Sequence, residues 1–269
     1  MKKWVVIEKE VGQTPLAAIE TFKKWYPGYS ETKMAYAGRL DPMASGKLLV
    51  LIGEECKMQE RYHALDKEYE VEILLGVGSD SGDVLGLIES CDVRELSRQK
   101  VIRAIKKMRG MFVSPYPKFS SKTVNGKPLF LWTLENRLAE ITIPTQKGYI
   151  YKIKIDKVGK INGAEVVSEA RKKIRSIPAV TEDSKLLGAD FRRESVEATW
   201  SKFIEKNSDQ EFTLIKITCV CSSGTYMRSL AEEIGKKLGT CALAYSIHRT
   251  EIGRQFWLPL GLSFWRNKF

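Results

Sequence analysis

Between residues 68 and 75 apolar and acidic side chains alternate. Tyr69, Val71, Ile73 and Leu75 fall on one side of an extended chain and Glu68, Glu70 and Glu72 on the other, which predicts a half-buried strand. Ile215, Ile217, Cys219 and Cys221 repeat the pattern, with both cysteines facing one side. Elsewhere the apolar spacing is helical. Thr14-Pro15 offers a capping hydroxyl followed by proline at the first helical position; Leu16, Ile19 and Phe22 recur on one face, and Pro27-Gly28 ends the run. Ser97 and Gly110 bracket a second helix with Val101, Ala104, Ile105 and Met108 on its inner face. A third carries Met227, Leu230, Ala231, Ile234 and Leu238 and stops at Gly239. Ser114-Pro115-Tyr116-Pro117 must be extended, because proline restricts the residue before it.

The glycine-rich stretch Gly76 to Gly82 invites a phosphate-loop reading, which requires a following helix. Val84-Leu85-Gly86-Leu87-Ile88 reads as strand instead, so a hairpin is expected. Strands and helices alternate without the steady rhythm of a doubly wound fold. The prediction is α+β, a central, mainly antiparallel mixed sheet flanked by helices and loops. Residues 156–209 carry mixed charge and weak periodicity, and are expected to be an insertion interrupting a single domain that spans 1–269.

Composition narrows the function. Hydrophobic residues make up 43% of 269, enough for a sizeable core, which argues against a disordered basic protein. The longest apolar run, Leu48-Leu49-Val50-Leu51-Ile52, is far short of the roughly 20 residues of a membrane span. Trp4-Val5-Val6-Ile7 stops at Glu8, too early for a signal-peptide core. A cytoplasmic protein with no membrane partner is expected. Cys56, Cys91, Cys219, Cys221 and Cys241 contain no C-x-x-C pair and read as small buried hydrophobes; His63 and His248 leave little room for histidine acid–base work. No metal site is expected, since ligands would have to be gathered from nearly the whole chain. The 44 Lys+Arg against 33 Asp+Glu give +11, clustered at Arg103, Lys106, Lys107 and Arg109 and again at Arg171-Lys172-Lys173 with Arg175. That is the footprint of a nucleic-acid binder; an anionic membrane, an acidic protein or a merely solvated basic face would look similar.

Three segments carry candidate chemistry. Gly38-Arg39-Leu40-Asp41-Pro42-Met43-Ala44-Ser45-Gly46 places an acid before proline in a loop of small residues. Asp66-Lys67-Glu68-Tyr69 puts a phenol at a strand start, and Ser223-Gly224-Thr225-Tyr226-Met227-Arg228 puts a phenol and a guanidinium at a strand-to-helix turn. Singly, each has an ordinary explanation: an Asp-Pro turn, a packing tyrosine, an arginine paired with a neighbouring acid.

Together, in this order, they resemble the TruB class of tRNA pseudouridine synthases. Gly38 to Leu48 is similar to its G-x-L-D-P-x-A-[ST]-G-x-L segment, Gly53-Glu54-Glu55-Cys56-Lys57 to G-E-x-T-K, and Asp66 to Tyr69 to D-K-x-Y. Ser223 to Leu230 resembles S-x-G-T-Y-I-R-[ST]-L, and Ile247-His248-Arg249 sits where the family has L-R-R. The resemblance covers the N-terminus to about residue 155 and about 210 to 255. It implies the pseudouridine synthase fold and isomerisation of the tRNA T-loop uridine, with no cofactor, by a monomer that recognises the T-arm. It assigns catalysis to Asp41, Tyr69 and Arg228, and substrate contacts to Tyr36, Arg39, Tyr226, Ile247 and Arg249. Asp41 would act ionised, held by Arg228, as a nucleophile toward the sugar or a base at C2′; Tyr69 would stack on the base and assist removal of the C5 proton. The chain departs from the family at Tyr36 (usually histidine), Phe119 (tyrosine) and Thr123 (lysine), and the C-terminal PUA domain of bacterial members is not seen. The basic run Arg171-Lys172-Lys173-Ile174-Arg175 is expected to help hold RNA in its place. The competing readings are a non-catalytic RNA-binding protein or tRNA-folding chaperone, and, more distantly, a hydrolase using Ser222 or Ser223.

Overall fold

The computed structural model describes residues 2–91, 96–178, 192–257, 263–266 and 268–269. The alternating run falls in β4 (Asp66–Leu75), where Tyr69, Val71, Ile73 and Leu75 are buried and Glu68, Glu70 and Glu72 half-buried. β4 lies centrally in a nine-stranded sheet. With β1 (Trp4–Lys9), β2 (Met34–Ala37), β3 (Ala44–Ile52), β7 (Gly110–Pro115), β10 (Thr145–Asn162), β11 (Glu211–Cys221), β12 (Ala242–Trp257) and β13 (Ser263–Arg266), the order is β1-β3-β12-β4-β11-β10-β7; β2 pairs with β3 and β13 with β12. Every pairing in it is antiparallel but one. β12 runs parallel to β3 over Ile247–Arg249 against Ala44–Gly46, which sets the loop after β2 beside the far end of the chain. The close approach needs Gly46: at φ +110° a Cβ there would lie 2.3 Å from the Arg249 carbonyl oxygen.

The predicted helices form at Pro15–Trp25, Arg98–Lys106 and Met227–Leu238. Thr14 and Ser97 accept the capping bonds, and Gly239 ends the third helix at φ +76°. Leu16, expected on the inner face of the first helix, is 60% exposed; only Ala18 and Ile19 are buried there, because the helix rests on the sheet over a narrow stripe. The glycine-rich turn is a hairpin, β5 (Val77–Ser79) against β6 (Ile88–Ser90), with its second strand starting four residues later than the apolar run suggested, and β8 (Thr123–Val124) with β9 (Lys127–Pro128) makes a second.

Within the stretch expected as an insertion, β10 runs on to Asn162, and helices Gly163–Ser176 and Arg193–Asn207 are described. Val166, Val167, Ala170, Ile174, Val196, Trp200 and Phe203 bury into the same core as β4 and β11. Its basic run is divided between inward contacts and the surface. Lys173 donates to the Tyr245 carbonyl and lies over that ring, Arg171 reaches Ser201 Oγ at 2.8 Å, and Lys172 pairs with Glu169. The Lys173 and Arg171 contacts tie the helix to β12 and to helix Arg193–Asn207, while Lys172 and Arg175 stay exposed. One expectation is corrected: three of the five cysteines are buried and free as read, but Cys91 and Cys241 form a disulfide. Both segments are brought alongside Gly76, whose N–H donates to the Cys241 carbonyl and whose carbonyl accepts from Cys91 N–H.

Candidate active site

The loop between β2 and β3 is held from three directions. Gly38 adopts φ +86°, Ala44 N–H closes a turn onto the Asp41 carbonyl at 3.0 Å, and Gly12 N–H donates to the Pro42 carbonyl at 2.8 Å. Beneath it Lys9 is fully buried and donates from Nζ to the Ala44 and Glu10 carbonyls. Burial pulls its pKa down to about 8, although the nearby Asp41 charge works the other way.

Arg228 enters from the first turn of helix Met227–Leu238. Its side chain is 4% exposed, and Nε lies 2.8 Å from Asp41 Oδ2 and 3.7 Å from Asp83 Oδ2. Nη1 donates to the Ser81 carbonyl at 2.8 Å and Nη2 to the Phe119 carbonyl at 3.2 Å. Burial disfavours the guanidinium charge, but Asp41 and Asp83 outweigh it and hold its pKa above the ordinary value. Asp83 is itself buried and accepts from Ser81 Oγ at 2.8 Å and Leu85 N–H at 2.9 Å; burial pushes its carboxyl up, and Arg228 opposes that. Both carboxylates line the cleft, and Asp41, at 36%, is the more exposed of the two.

Tyr69 lies on β4 at 9% exposure. Burial raises its pKa to about 12, with the Arg249 guanidinium acting against the rise, so the phenol is neutral near pH 7. Tyr226 meets Tyr116 edge to face at 5.9 Å, and Lys122 Nζ sits 5.3 Å from the Tyr116 ring centre. Ile247, 4% exposed, forms apolar floor; Tyr36 is half-buried, its carbonyl accepting from Gln59 at 2.6 Å; Arg39 is exposed at the rim. These residues with Asp41, Tyr69, Arg228 and Arg249 line one cleft of about 1020 Å³, so the fold gathers all eight residues singled out in the sequence.

Arg249 lines the cleft from inside the protein. It is fully buried, and its guanidinium donates to the carbonyls of Lys47 (2.7 Å), Arg39 (3.3 Å) and Gly38 (3.4 Å). It ties the Asp41 loop to β12. Sequence reasoning also missed Lys9 and Asp83, which look like ordinary charges until tertiary contacts bury them. Arg192 was missed as well. It meets Asp80 in a two-pronged ion pair (2.7 and 3.0 Å) and lies 4.3 Å over the Phe119 ring, behind the two carbonyls that hold Arg228. Ser222 Oγ, the hydrolase candidate, accepts from Tyr149 N–H and donates to the Ser223 carbonyl. Among the described residues no helix is long and apolar enough to cross a membrane.

Comparison with known proteins places this geometry. The chain is 29% identical over 227 residues to a tRNA pseudouridine synthase B of Francisella tularensis subsp. tularensis, covering 84% of this chain and 57% of the relative. It is 27% identical over 249 residues to a tRNA pseudouridine synthase B of Caldicellulosiruptor saccharolyticus, covering 93% and 67%. The chain thus spans roughly three-fifths of the length of such relatives. The crystal structure of a Cbf5-Nop10-Gar1 complex shares the fold, with TM-score 0.51 and 17% identity, covering 92% of this chain and 48% of that one. Residues 26–173, which include the Asp41 loop, Tyr69 and the Asp83 hairpin, match the N-terminal domain model of TruB pseudouridylate synthases, and on that match the chain belongs to the TruB family of pseudouridylate synthases.

Proposed function

We propose that this protein is a tRNA pseudouridine synthase that isomerises the T-loop uridine, acting in the cytoplasm as a monomer on the T-arm. The observation that carries the reading is the Arg228–Asp41 pair, 2.8 Å apart at the base of a cleft walled by Tyr69, Tyr116 and Tyr226. Binding RNA alone calls for no buried arginine aimed at a carboxylate.

The reaction breaks the N1–C1′ bond, turns the base and joins C5 to C1′; a proton leaves C5 and N1 takes one, so the atoms of uridine are conserved. Asp41 supplies the reactive carboxylate, toward C1′ as a nucleophile or toward the C2′ proton as a base. Arg228, held by the Ser81 and Phe119 carbonyls, pairs with it through Nε and fixes its direction. Tyr69 offers a ring face to the base and a neutral phenol near C5. The nucleotide must leave its stack to reach Asp41, costing a few kcal/mol that the aromatic walls partly offset. Of the residues first assigned to substrate contact, Tyr36, Arg39, Tyr226 and Ile247 keep that role, and Arg249 positions the loop. The test is incubation with unmodified tRNA followed by mapping of pseudouridine: the reading requires it in the T-loop, and its absence there at stoichiometric enzyme rejects it.

A further inference from the structure

The cleft has a polar lobe that the Asp41–Arg228 pair does not use. Gln146, on β10, is 6% exposed, and both its amide oxygen and nitrogen are buried without a hydrogen-bond partner. The hydroxyls of Ser120 and Thr225 share that condition, and all three residues line the cleft. The turn from Ser222 lies along β10, with Tyr149 N–H donating to Ser222 Oγ at 2.8 Å and Ser222 N–H to the Tyr149 carbonyl at 2.9 Å. A Cβ at Gly148 would lie 2.2 Å from Thr225 Oγ1, so that hydroxyl stands over the strand two residues from Gln146. Ser120 follows Phe119, whose carbonyl accepts from Arg228, and Thr225 precedes Tyr226. The lobe therefore adjoins the reacting pair. Buried polar atoms in folded proteins are nearly always paired, and each orphan costs about 1–3 kcal/mol. Three such side chains lining one binding cleft are a cost that a complementary ligand removes.

We propose that Gln146, with Ser120 and Thr225, is the subsite that holds the imide edge of the uracil, C2=O, N3–H and C4=O, during isomerisation; the proposal rests on the pseudouridine synthase reading above. A primary amide presents a donor beside an acceptor, and the imide edge presents the complementary pair. The turn of the detached base about the axis through N3 and C6 exchanges N1 with C5 and C2=O with C4=O. It leaves N3–H in place. A subsite reading this edge meets the same pattern before and after the turn, so it retains the base while no bond joins it to the sugar. The two hydroxyls serve the carbonyls.

The test compares wild type, Gln146→Leu and Thr225→Val on T-arm hairpins carrying uridine or N3-methyluridine at the target position. Wild type should prefer uridine by about a hundredfold or more in kcat/KM. Gln146→Leu should lose roughly ten- to a hundredfold on uridine and shrink the preference by about tenfold or more, with its circular dichroism unchanged. Thr225→Val, close in volume, should slow both substrates several-fold and keep the preference. In an Asp41→Asn background the same preference is read from hairpin Kd, so failure of the isomerase reading is distinguishable from failure of the subsite. A Gln146→Leu protein with wild-type turnover, or with its preference for uridine intact in both assays, overturns the proposal.

Discussion

Arg228 and Asp41 meet at 2.8 Å although they lie at opposite ends of the chain, and Asp83 waits 3.7 Å behind on the same guanidinium nitrogen. Removing Arg228 therefore strands a buried carboxylate as well as releasing an exposed one. Arg228→Gln should abolish turnover and destabilise the fold by about 3–5 kcal/mol in chemical denaturation. Adding Asp83→Asn should recover part of that stability and none of the activity. Recovery of turnover in the double variant would contradict the role given to Arg228. Arg228→Lys should also be poorly active, since a single ammonium cannot reach Asp41 and the Ser81 and Phe119 carbonyls in one planar fork.

Lys67 makes a pH prediction. It is 6% exposed, donates to the His63 and Leu65 carbonyls, and burial, with the Arg249 charge adding to it, lowers its pKa from 10.5 to about 8. Between about pH 8 and 10.5 the unfolded chain holds this proton and the folded chain does not, so the contribution to stability rises with pH there. Below pH 8 both states are protonated and it is flat. The difference in unfolding free energy between wild type and Lys67→Met should move toward wild type by about 3 kcal/mol across that window. A constant difference would contradict it.

Arg192 should act through its neighbours. Arg192→Ala and Asp80→Ala are each expected to lower kcat several-fold and leave RNA affinity within about twofold, and the double variant should be no worse than either single one. Arg175, exposed and 3.8 Å from Glu197 in the same stretch, is the control, and Arg175→Ala should leave kcat unchanged. A loss of affinity with kcat preserved would place Arg192 on the RNA instead.

How far the sequence could be read depended on whether the relevant physics was local. The β4 alternation, the Thr14 and Ser97 caps and the Gly239 stop each involve neighbours within a few residues, and each appears in the structure where the pattern put it. β10 hid its register because irregularities between Ile150 and Lys152 and between Ile155 and Lys157 break the period of two. In helix Gly163–Ser176 the apolar spacing Val166, Val167, Ala170, Ile174 was present, but the basic run around it drew a surface reading. Lys173 shows what such a reading leaves out: a lysine's apolar stem and amine can be absorbed by a strand 72 positions away, and charge counting sees only the charge. At the site, motif order gathered the eight lining residues. It could not separate Arg249, spent on backbone carbonyls, from groups free to meet RNA, nor find Gln146, Asp83 or Lys9, whose significance is burial.

If the +11 charge meets phosphates, log affinity for tRNA should fall linearly with log salt, by about 0.7–0.9 per phosphate contacted. Filter binding from 50 to 300 mM salt reads the slope, and a flat response would return that charge to the solvated surface.

The most direct test of the account pairs wild type with Asp41→Asn on one unmodified tRNA, reading pseudouridine position and yield alongside tRNA Kd. Wild type should convert the T-loop uridine over many turnovers. Asp41→Asn should fall by roughly a thousandfold or more in rate and bind the tRNA within several-fold of wild type. Equal conversion by the two proteins would contradict the account.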